Sequence, residues 1–412
     1  MSKKICGWNP YITVIENGNK VIIANRWDGR WIKISKECFN IILEIVKNNP
    51  KEIIWDEISG EKEDIDYIKK LINILTTMDV FTEKDYCVES VYLSLMHKCN
   101  LHCIHCSVDA DINQQNVLSL QDIKDIIKKL QVSKVQTLIF TGGEPLIRDD
   151  FLEILKYARS IFSGKIVMMT NGTLINEANI KTLVENLDAI DMSIDGVNEA
   201  TCSIIRGKGV FKKVMQSIEL LHKNSFRKIS LSMVSSIENN KVVNEFYCLN
   251  KKLGTKPVIR VFCERGRGKT SKSKFIENSA KLEKQIDKKE YKEKKEELYG
   301  KITACSCGAG HKILHINYDG KIYPCSLLID KTKYLLGDIR EVDDINLLNQ
   351  YGGVGIKNIK KIQPEMYLKC KECCVNIFCW NCLEQIDRIG DTAEFEARCE
   401  SIKEYLEDVM WN

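Results

Sequence analysis

No stretch of this 412-residue chain is apolar enough for long enough to be read as a membrane span. The first ten residues, Met1 to Pro10, also lack the apolar core of a signal peptide. Both absences predict a cytoplasmic protein with no membrane partner. Strong charge of one sign is missing too. With 61 Lys and Arg against 57 Asp and Glu, the net charge is only +4, which gives no general reason to expect nucleic acid. Apart from a β–α rhythm there is no internal repeat, and there is no long low-complexity tract. What is left is an ordinary globular composition, 44% hydrophobic and 29% charged, in a chain too long for one compact domain.

Cysteine is the exception, at 18 residues. Secreted disulfide scaffolds are cysteine-dense, but they are short and carry signal peptides. Clustered cysteines in a long cytosolic chain point to metal. Three lie at 99–106 and nine between 305 and 399. Cys6, Cys38, Cys87, Cys202, Cys248 and Cys374 have no pattern and are expected to be small buried residues. Cys263 is expected in the core or at the rim of the barrel proposed below.

The rhythm of the sequence divides the chain. Residues 1–88 read as a small α+β domain. Strands are predicted at Tyr11–Val14, Lys20–Asn25 and Arg30–Ile34, with turn signals at Asn17-Gly18 and Asp28-Gly29. Helices are predicted at Lys36–Asn48, Glu52–Ser59 and Asp64–Met78. In the last of these Ile65, Ile68, Leu71, Ile72 and Leu75 recur at helical spacing. Residues 89–268 alternate strand and helix, with strands at Val91–Met96, Thr137–Phe140, Lys165–Met169, Ala189–Ile194, Lys228–Val234 and Pro257–Phe262. Six β–α units in series predict an α/β fold with a right-handed parallel sheet, open or closed into a barrel. Residues 269–304 read as a charged helical linker. Residues 305–412 have short elements and dense cysteines, as expected of a segment that folds around metal.

The strongest chemical signal is Cys99-Asn-Leu-His-Cys103-Ile-His-Cys106 just after the first strand of the series. Three thiolates on one tight loop can hold three irons of a [4Fe–4S] cluster and leave the fourth open. A zinc site using these cysteines with His102 or His105 is the alternative, and it does not account for the strand–loop context. The next strand ends in Thr141-Gly142-Gly143-Glu144-Pro145.

This constellation resembles the radical S-adenosylmethionine superfamily, whose signature is CxxxCxxC after the first strand and GGEP after the second. The resemblance implies a partial (β/α)6 barrel. It also implies a cluster on Cys99, Cys103 and Cys106 whose open iron is chelated by S-adenosylmethionine and whose electron releases a 5′-deoxyadenosyl radical. By the same resemblance Gly142, Gly143 and Glu144 meet the methionine end of the cofactor. Ser193 and Arg206 contact it, Val261 lies near the adenine, and His105 takes the place of the usual aromatic packing residue.

Toward the C-terminus, Cys307 is followed by twelve residues, Gly320, four residues and Cys325. Then come Cys370-Lys-Glu-Cys373, Cys379, Cys382 and Cys399. This resembles the SPASM domain, with one residue fewer than usual between Cys379 and Cys382. The resemblance implies one or two auxiliary iron–sulfur clusters. One would be held by Cys370, Cys373, Cys379 and Cys399. The other would be held by Cys307, Cys325 and Cys382, with Cys305 or nothing at its fourth iron. Zinc ribbons on the same CxxC units are the alternative.

The N-terminal pattern, winged-helix-like, resembles the RiPP recognition element, a leader-binding domain of enzymes that modify ribosomally made peptides. A leader would add a strand at Arg30–Ile34 beside the helix Asp64–Met78. A winged-helix DNA-binding head has the same topology, but residues 1–90 hold 13 Lys or Arg against 15 Asp or Glu, the wrong sign for DNA. A structural cap is the third reading. The expectation is therefore a peptide maturase that links cysteine thiols to carbon as thioethers. Its partners would be a precursor peptide with a leader and a one-electron reductant such as flavodoxin or ferredoxin. The rival activities are carbon–carbon cross-linking and sulfatase formylglycine maturation. A rival of another class is a non-catalytic iron–sulfur redox sensor with a DNA-binding head. Ser326 bears on the choice, because sulfatase-maturing relatives carry a basic aspartate immediately after the cysteine matching Cys325, and a serine hydroxyl is a poor base unaided.

Overall fold

In the computed structural model of the chain, residues 2–3, 5, 7–46, 61–81, 87–113, 117–234, 239–260, 262–275, 302–329, 331–349, 353–380 and 382–412 are described. The predicted helix Glu52–Ser59, most of the predicted linker 269–304, Val261 and Cys6 lie outside them. Among the described residues no helix is long and apolar enough to cross a membrane. The chain forms two compact units: Cys87–Leu282 with Ala309–Lys357, and Met1–Tyr86 with Glu283–Gly308 and Asn358–Asn412.

The first unit is built on a nine-stranded sheet. Six parallel strands lie side by side in chain order: β5 Ser90–Ser94, β6 Thr137–Thr141, β7 Lys165–Thr170, β8 Ala189–Ser193, β9 Ile229–Val234 and β10 Lys256–Arg260. The crossovers carry α3 Leu120–Val132, α4 Phe151–Ile161, α5 Ile180–Asn186, α6 Glu199–Arg206, α7 Val210–Lys223 and α8 Val243–Leu253. Alternation decides which side faces them. Val91, Leu93, Leu138, Phe140, Ile166, Met168, Ile190, Met192, Leu231 and Met233 join one buried cluster with Ile123, Ile127, Ile154, Leu155, Val214 and Ile218 of the helices. The positions between them, among them Tyr92, Ser94, Asp191, Ser193, Ser230 and Ser232, occupy the opposite, inner face. Polar residues on buried strands mark that face as a site rather than a core. The start of α3 is fixed by a capping box between Ser119 and Asp122.

The expected boundary at 305 does not coincide with the units. Strand β11, Ile313–Ile316, pairs in parallel with β5, Leu314 opposite Val91, and β12 Lys321–Tyr323 and β13 Gly337–Asp338 continue the sheet antiparallel. Leu314, Ile316, Ile322 and Ile339 belong to the barrel core, so this part of the cysteine-rich segment folds on the barrel.

The second unit contains the antiparallel sheet β1 Ser2–Lys3, β2 Ile12–Asn17, β3 Lys20–Asn25 and β4 Trp31–Ser35, followed by α1 Lys36–Val46 and α2 Lys62–Thr77. One face, with Ile12, Val14, Val21 and Ile23, packs on Phe39, Ile42, Ile68, Leu71, Ile72 and Leu75 of the helices. The other face, with Ile15, Ile22 and Ala24, is covered by Val375, Ile377, Phe378 and by Leu406, Val409, Met410 and Trp411 of the C-terminal helix Ala393–Trp411. Residues 1–86 thus share their core with the last fifty residues.

Candidate active site

The loop after β5 carries Cys99, Cys103 and Cys106, and each sulfur receives at least one hydrogen bond. Leu101 N donates to Cys99 Sγ at 3.5 Å, Ala110 N to Cys106 Sγ at 3.4 Å and Arg206 Nη1 to Cys103 Sγ at 3.7 Å. Asn171 Nδ2 reaches Cys99 Sγ at 4.0 Å. Donors aimed at sulfur favour thiolates carrying the excess charge of a cluster. Burial pushes the Cys99 thiol up to about 11 and raises Cys103 as well, so cluster assembly there displaces protons. Three thiols on one loop, each with a hydrogen-bond donor on its sulfur, are a donor set that could hold three irons of a cluster.

Gly142 and Gly143 are required by a close approach. A Cβ on Gly142, at φ +137°, would stand 2.5 Å from Met96 O, and one on Gly143 would stand 1.8 Å from Lys98 O. Gly143 N donates to Met96 O at 2.9 Å and Glu144 N to Lys98 O at 2.8 Å. The second loop is laid directly on the backbone of the cysteine loop. Glu144 is fully buried, and its oxygens accept from Thr170 Oγ1 at 2.7 Å, Asn171 N at 2.7 Å and Leu146 N at 3.2 Å. Burial raises its pKa, and these donors only partly offset that. Glu144 therefore ties the ends of β6 and β7 together.

His105 Nε2 lies 2.7 Å from Asp195 Oδ2, and Arg206 Nε lies 2.6 Å from the same oxygen. Val234 N donates to Asp195 Oδ1 at 2.5 Å. Burial opposes ionisation of Asp195, but the Arg206 charge and the His105 contact outweigh it and hold the carboxyl below the usual range. The His105 ring packs 5.7 Å from Phe275, which stacks on Phe262 at 4.5 Å. Ser193 Oγ is 3.3 Å from Ser232 Oγ on the inner face. Asp195, Asn171, Arg267 and Phe275 were not singled out from the sequence. Only Asp195, two residues past Ser193, sits where the strand-end rule of α/β folds could have found it.

The geometry and the comparisons agree. Residues 93–247 match the radical SAM superfamily, and residues 305–374 match an iron–sulfur cluster-binding domain, SPASM. The chain carries a radical SAM domain and a SPASM domain. The chain is 32% identical over 175 residues to mycofactocin maturase MftC of Mycolicibacterium smegmatis, covering 42% of this chain and 44% of that protein. It is 26% identical over 171 residues to a probable GTP 3′,8-cyclase of Saccharolobus islandicus, covering 42% and 56%. The chain thus spans about half the length of these curated relatives. In fold it is similar to Streptococcus suis SuiB bound to precursor peptide SuiA, with TM-score 0.59, 13% identity and coverage of 96% and 98%. It is also similar to anSMEcpe with bound AdoMet, with TM-score 0.58, 20% identity and coverage of 78% and 97%.

Toward the C-terminus, Cys370, Cys373, Cys379 and Cys399 line one cavity of about 40 Å³. Trp380 closes it, stacked on Phe395 at 5.7 Å with the Arg398 guanidinium 4.9 Å over its ring. Arg398 Nη2 also donates to Cys379 O at 2.6 Å. Apolar walls with Arg398 and Lys403 beside four thiols suit an anionic cluster. Burial pushes Cys370 up to about 11. Cys307 and Cys382 are neighbours: burial raises Cys382 and the nearby Cys307 adds to it. Cys325 belongs to the barrel unit. Cys305 is buried, its N–H donating to Ile377 O at 2.6 Å and its carbonyl accepting from Arg26 Nε at 3.1 Å. Of the cysteines without a pattern, Cys202 is fully buried as expected, whereas Cys248 is exposed on α8.

Proposed function

We propose that this protein modifies a ribosomally made precursor peptide, joining cysteine thiols to backbone or side-chain carbons as thioethers. The observation that carries the radical reading is the three-cysteine loop with donors on every sulfur and the Gly142-Gly143 backbone laid against it. When bound, the cluster and S-adenosylmethionine supply hydrogen-atom abstraction from unactivated carbon. The chain's own residues hold and shield that site. Cys99, Cys103 and Cys106 would hold the iron. Asp195 orients His105 and Arg206, and Arg206 reaches Cys103. The inner-face residues Tyr92, Asp191, Ser193, Ser232 and Arg260 form the polar wall past which a substrate enters, with Arg260 Nη2 paired to Asp191 Oδ2 at 2.8 Å. The SPASM cysteines Cys370, Cys373, Cys379 and Cys399 would hold an auxiliary cluster, which would supply an acceptor for the electron left when a thiol couples to the radical carbon. The supply of electrons to the site is the role of a reductant such as flavodoxin or ferredoxin.

The peptide reading is supported by the N-terminal unit. Tyr67 and Ile74, two turns apart on one side of α2, are 52% and 42% exposed on the helix expected to flank a leader strand at β4. It is supported further by similarity to MftC, called a maturase. Thioether formation is favoured over sulfatase maturation by Ser326. Its hydroxyl lies 2.9 Å from Nδ1 of His315, whose pKa burial pushes down to about 3, so the ring beside it is too weakly basic to stand in for the aspartate.

Reconstituted protein should cleave S-adenosylmethionine to 5′-deoxyadenosine under dithionite. It should return a precursor two hydrogen atoms lighter per cross-link with one fewer alkylatable thiol. Replacing Cys99, Cys103 and Cys106 together by Ala should abolish both. Deoxyadenosine from that variant would refute the site, and formylglycine in a sulfatase peptide treated with the wild type would refute the thioether reading.

A further inference from the structure

Residues 265–271 touch both cysteine-bearing segments of the barrel unit. Arg265 is buried, and its guanidinium caps the turn that follows Cys325. Nη1 donates to Ser326 O at 3.2 Å and Leu327 O at 3.1 Å, and Nη2 donates to Ile329 O at 2.6 Å. Two residues on, Arg267 Nε donates to Cys103 O at 2.9 Å, Arg267 N donates to Cys106 O at 3.0 Å, and Nη1 donates to Ala110 O at 2.9 Å and Asp109 Oδ1 at 2.8 Å. Ser271 Oγ closes the set on Ile104 O at 2.6 Å. Between the arginines Gly266 has φ +50°, and a Cβ there would stand 2.3 Å from Cys106 O. The segment therefore lies flat on the cysteine loop and grips it by backbone carbonyls rather than by thiols.

We propose that residues 265–271 are a strap that mechanically couples the Cys99–Cys106 loop to the turn after Cys325, with Arg265 and Arg267 as its positioning residues. A planar guanidinium can serve three carbonyls of a turn at once, and a lysine ammonium cannot do so in the same geometry. The two guanidiniums bond different segments, 326–329 and 103–110, and only Gly266 separates the two arginines in the chain. A shift of one cysteine segment is thereby passed to the other. Its use, holding the Cys99–Cys106 loop and the turn after Cys325 in fixed register, rests on the radical SAM reading, while the coupling itself is independent of which product forms.

Hydrogen exchange read by mass spectrometry on the reconstituted holoenzyme tests the coupling. The Cys106, Asp109 and Ala110 amides are hydrogen-bonded within the first loop, and the Leu328 amide bonds Cys325 O in the second, so both segments carry protectable sites. Arg265→Met keeps the apolar stem and removes three hydrogen bonds to the turn. It should speed exchange in 325–329 and also, at least about fivefold, in 103–110, which its side chain does not touch. Arg267→Met should do the reverse. Arg265→Lys should behave as Arg265→Met does, and it replaces that variant if the latter fails to fold. The electron paramagnetic resonance signal of the reduced three-cysteine cluster with S-adenosylmethionine should change in the Arg265 variants at unchanged iron content. Faster exchange confined in each variant to the segment its own guanidinium touches would overturn the strap, even if both clusters assemble. Loss of iron from the wild type's three-cysteine loop would instead overturn the cluster assignment and leave the exchange result standing.

Discussion

His105 and Arg206 converge on a single oxygen of Asp195, at 2.7 and 2.6 Å. One of them stands beside Cys106 and the other reaches Cys103. The carboxylate is fully buried, and it anchors the cysteine loop to the end of β8.

Replacing Asp195 by Asn should leave Arg206 as a buried charge without its partner, at a cost of about 3–5 kcal/mol. Chemical unfolding followed by circular dichroism reads this. The pH dependence gives a second check. The folded pKa of Asp195 is depressed, so its contribution is present above the unfolded value of about 3.9 and is lost as pH falls through the lower folded value. The variant should therefore lose stability at neutral pH and show a flatter decline below about pH 4.

His315 should give a different window. Its ring is buried between Ser94 Oγ at 3.0 Å and Ser326 Oγ at 2.9 Å, and burial, helped by Arg265, pushes its pKa down to about 3. Between about pH 6.5 and about 3 the unfolded chain binds a proton that the folded one refuses, so stability must fall as pH falls through that range. His315→Asn should lessen that slope while leaving the decline below it. An unchanged slope would mean that the ring is protonated or solvated in the fold.

The legible parts of the sequence were those where the pattern is local. Lys20–Asn25 is a strand at the predicted bounds, and the six β–α units appear in order because each helix and strand shows its own periodicity. The continuous apolar run Val21-Ile22-Ile23-Ala24 signals a strand buried on both faces, yet nothing local says that Leu406 to Trp411 cover the second one. Strand β11 was missed for the same reason: four residues join a sheet whose neighbour β5 lies over two hundred positions earlier. In the site, cysteine spacing and paired glycines are patterns. Asp195, Arg265 and Arg267 are single residues whose meaning comes only from what the fold lays against them.

Gly143→Ala should separate the two kinds of cysteine site. The added Cβ meets the backbone at Lys98, which cannot swing aside as a side chain would. The cysteine loop must shift, and reconstituted protein should hold about four fewer irons per chain, the content of one cubane. The cavity of Cys370, Cys373, Cys379 and Cys399 belongs to the other compact unit and should fill normally. Iron analysis with electron paramagnetic resonance reads both, and full iron content in the variant would show that the loop tolerates the displacement.

Leader recognition is best probed without cutting the chain. Deleting residues 1–88 would strip the cover from Val375, Ile377, Leu406 and Trp411, so lost binding could not be told from lost structure. Tyr67 and Ile74 offer a cleaner test, since both are exposed on α2 while Ile68, Leu71, Ile72 and Leu75 hold the helix to its sheet. Removing an exposed side chain should change unfolding by no more than about 0.5 kcal/mol. Burying one against a leader is worth about 1.5–3 kcal/mol. Tyr67→Ala and Ile74→Ala should therefore each weaken precursor binding about tenfold or more, with S-adenosylmethionine cleavage in the absence of peptide unchanged. Fluorescence anisotropy of a labelled precursor supplies the affinity. Wild-type affinity in the double variant would mean that the leader does not lie on α2, and would favour a structural role for the N-terminal sheet.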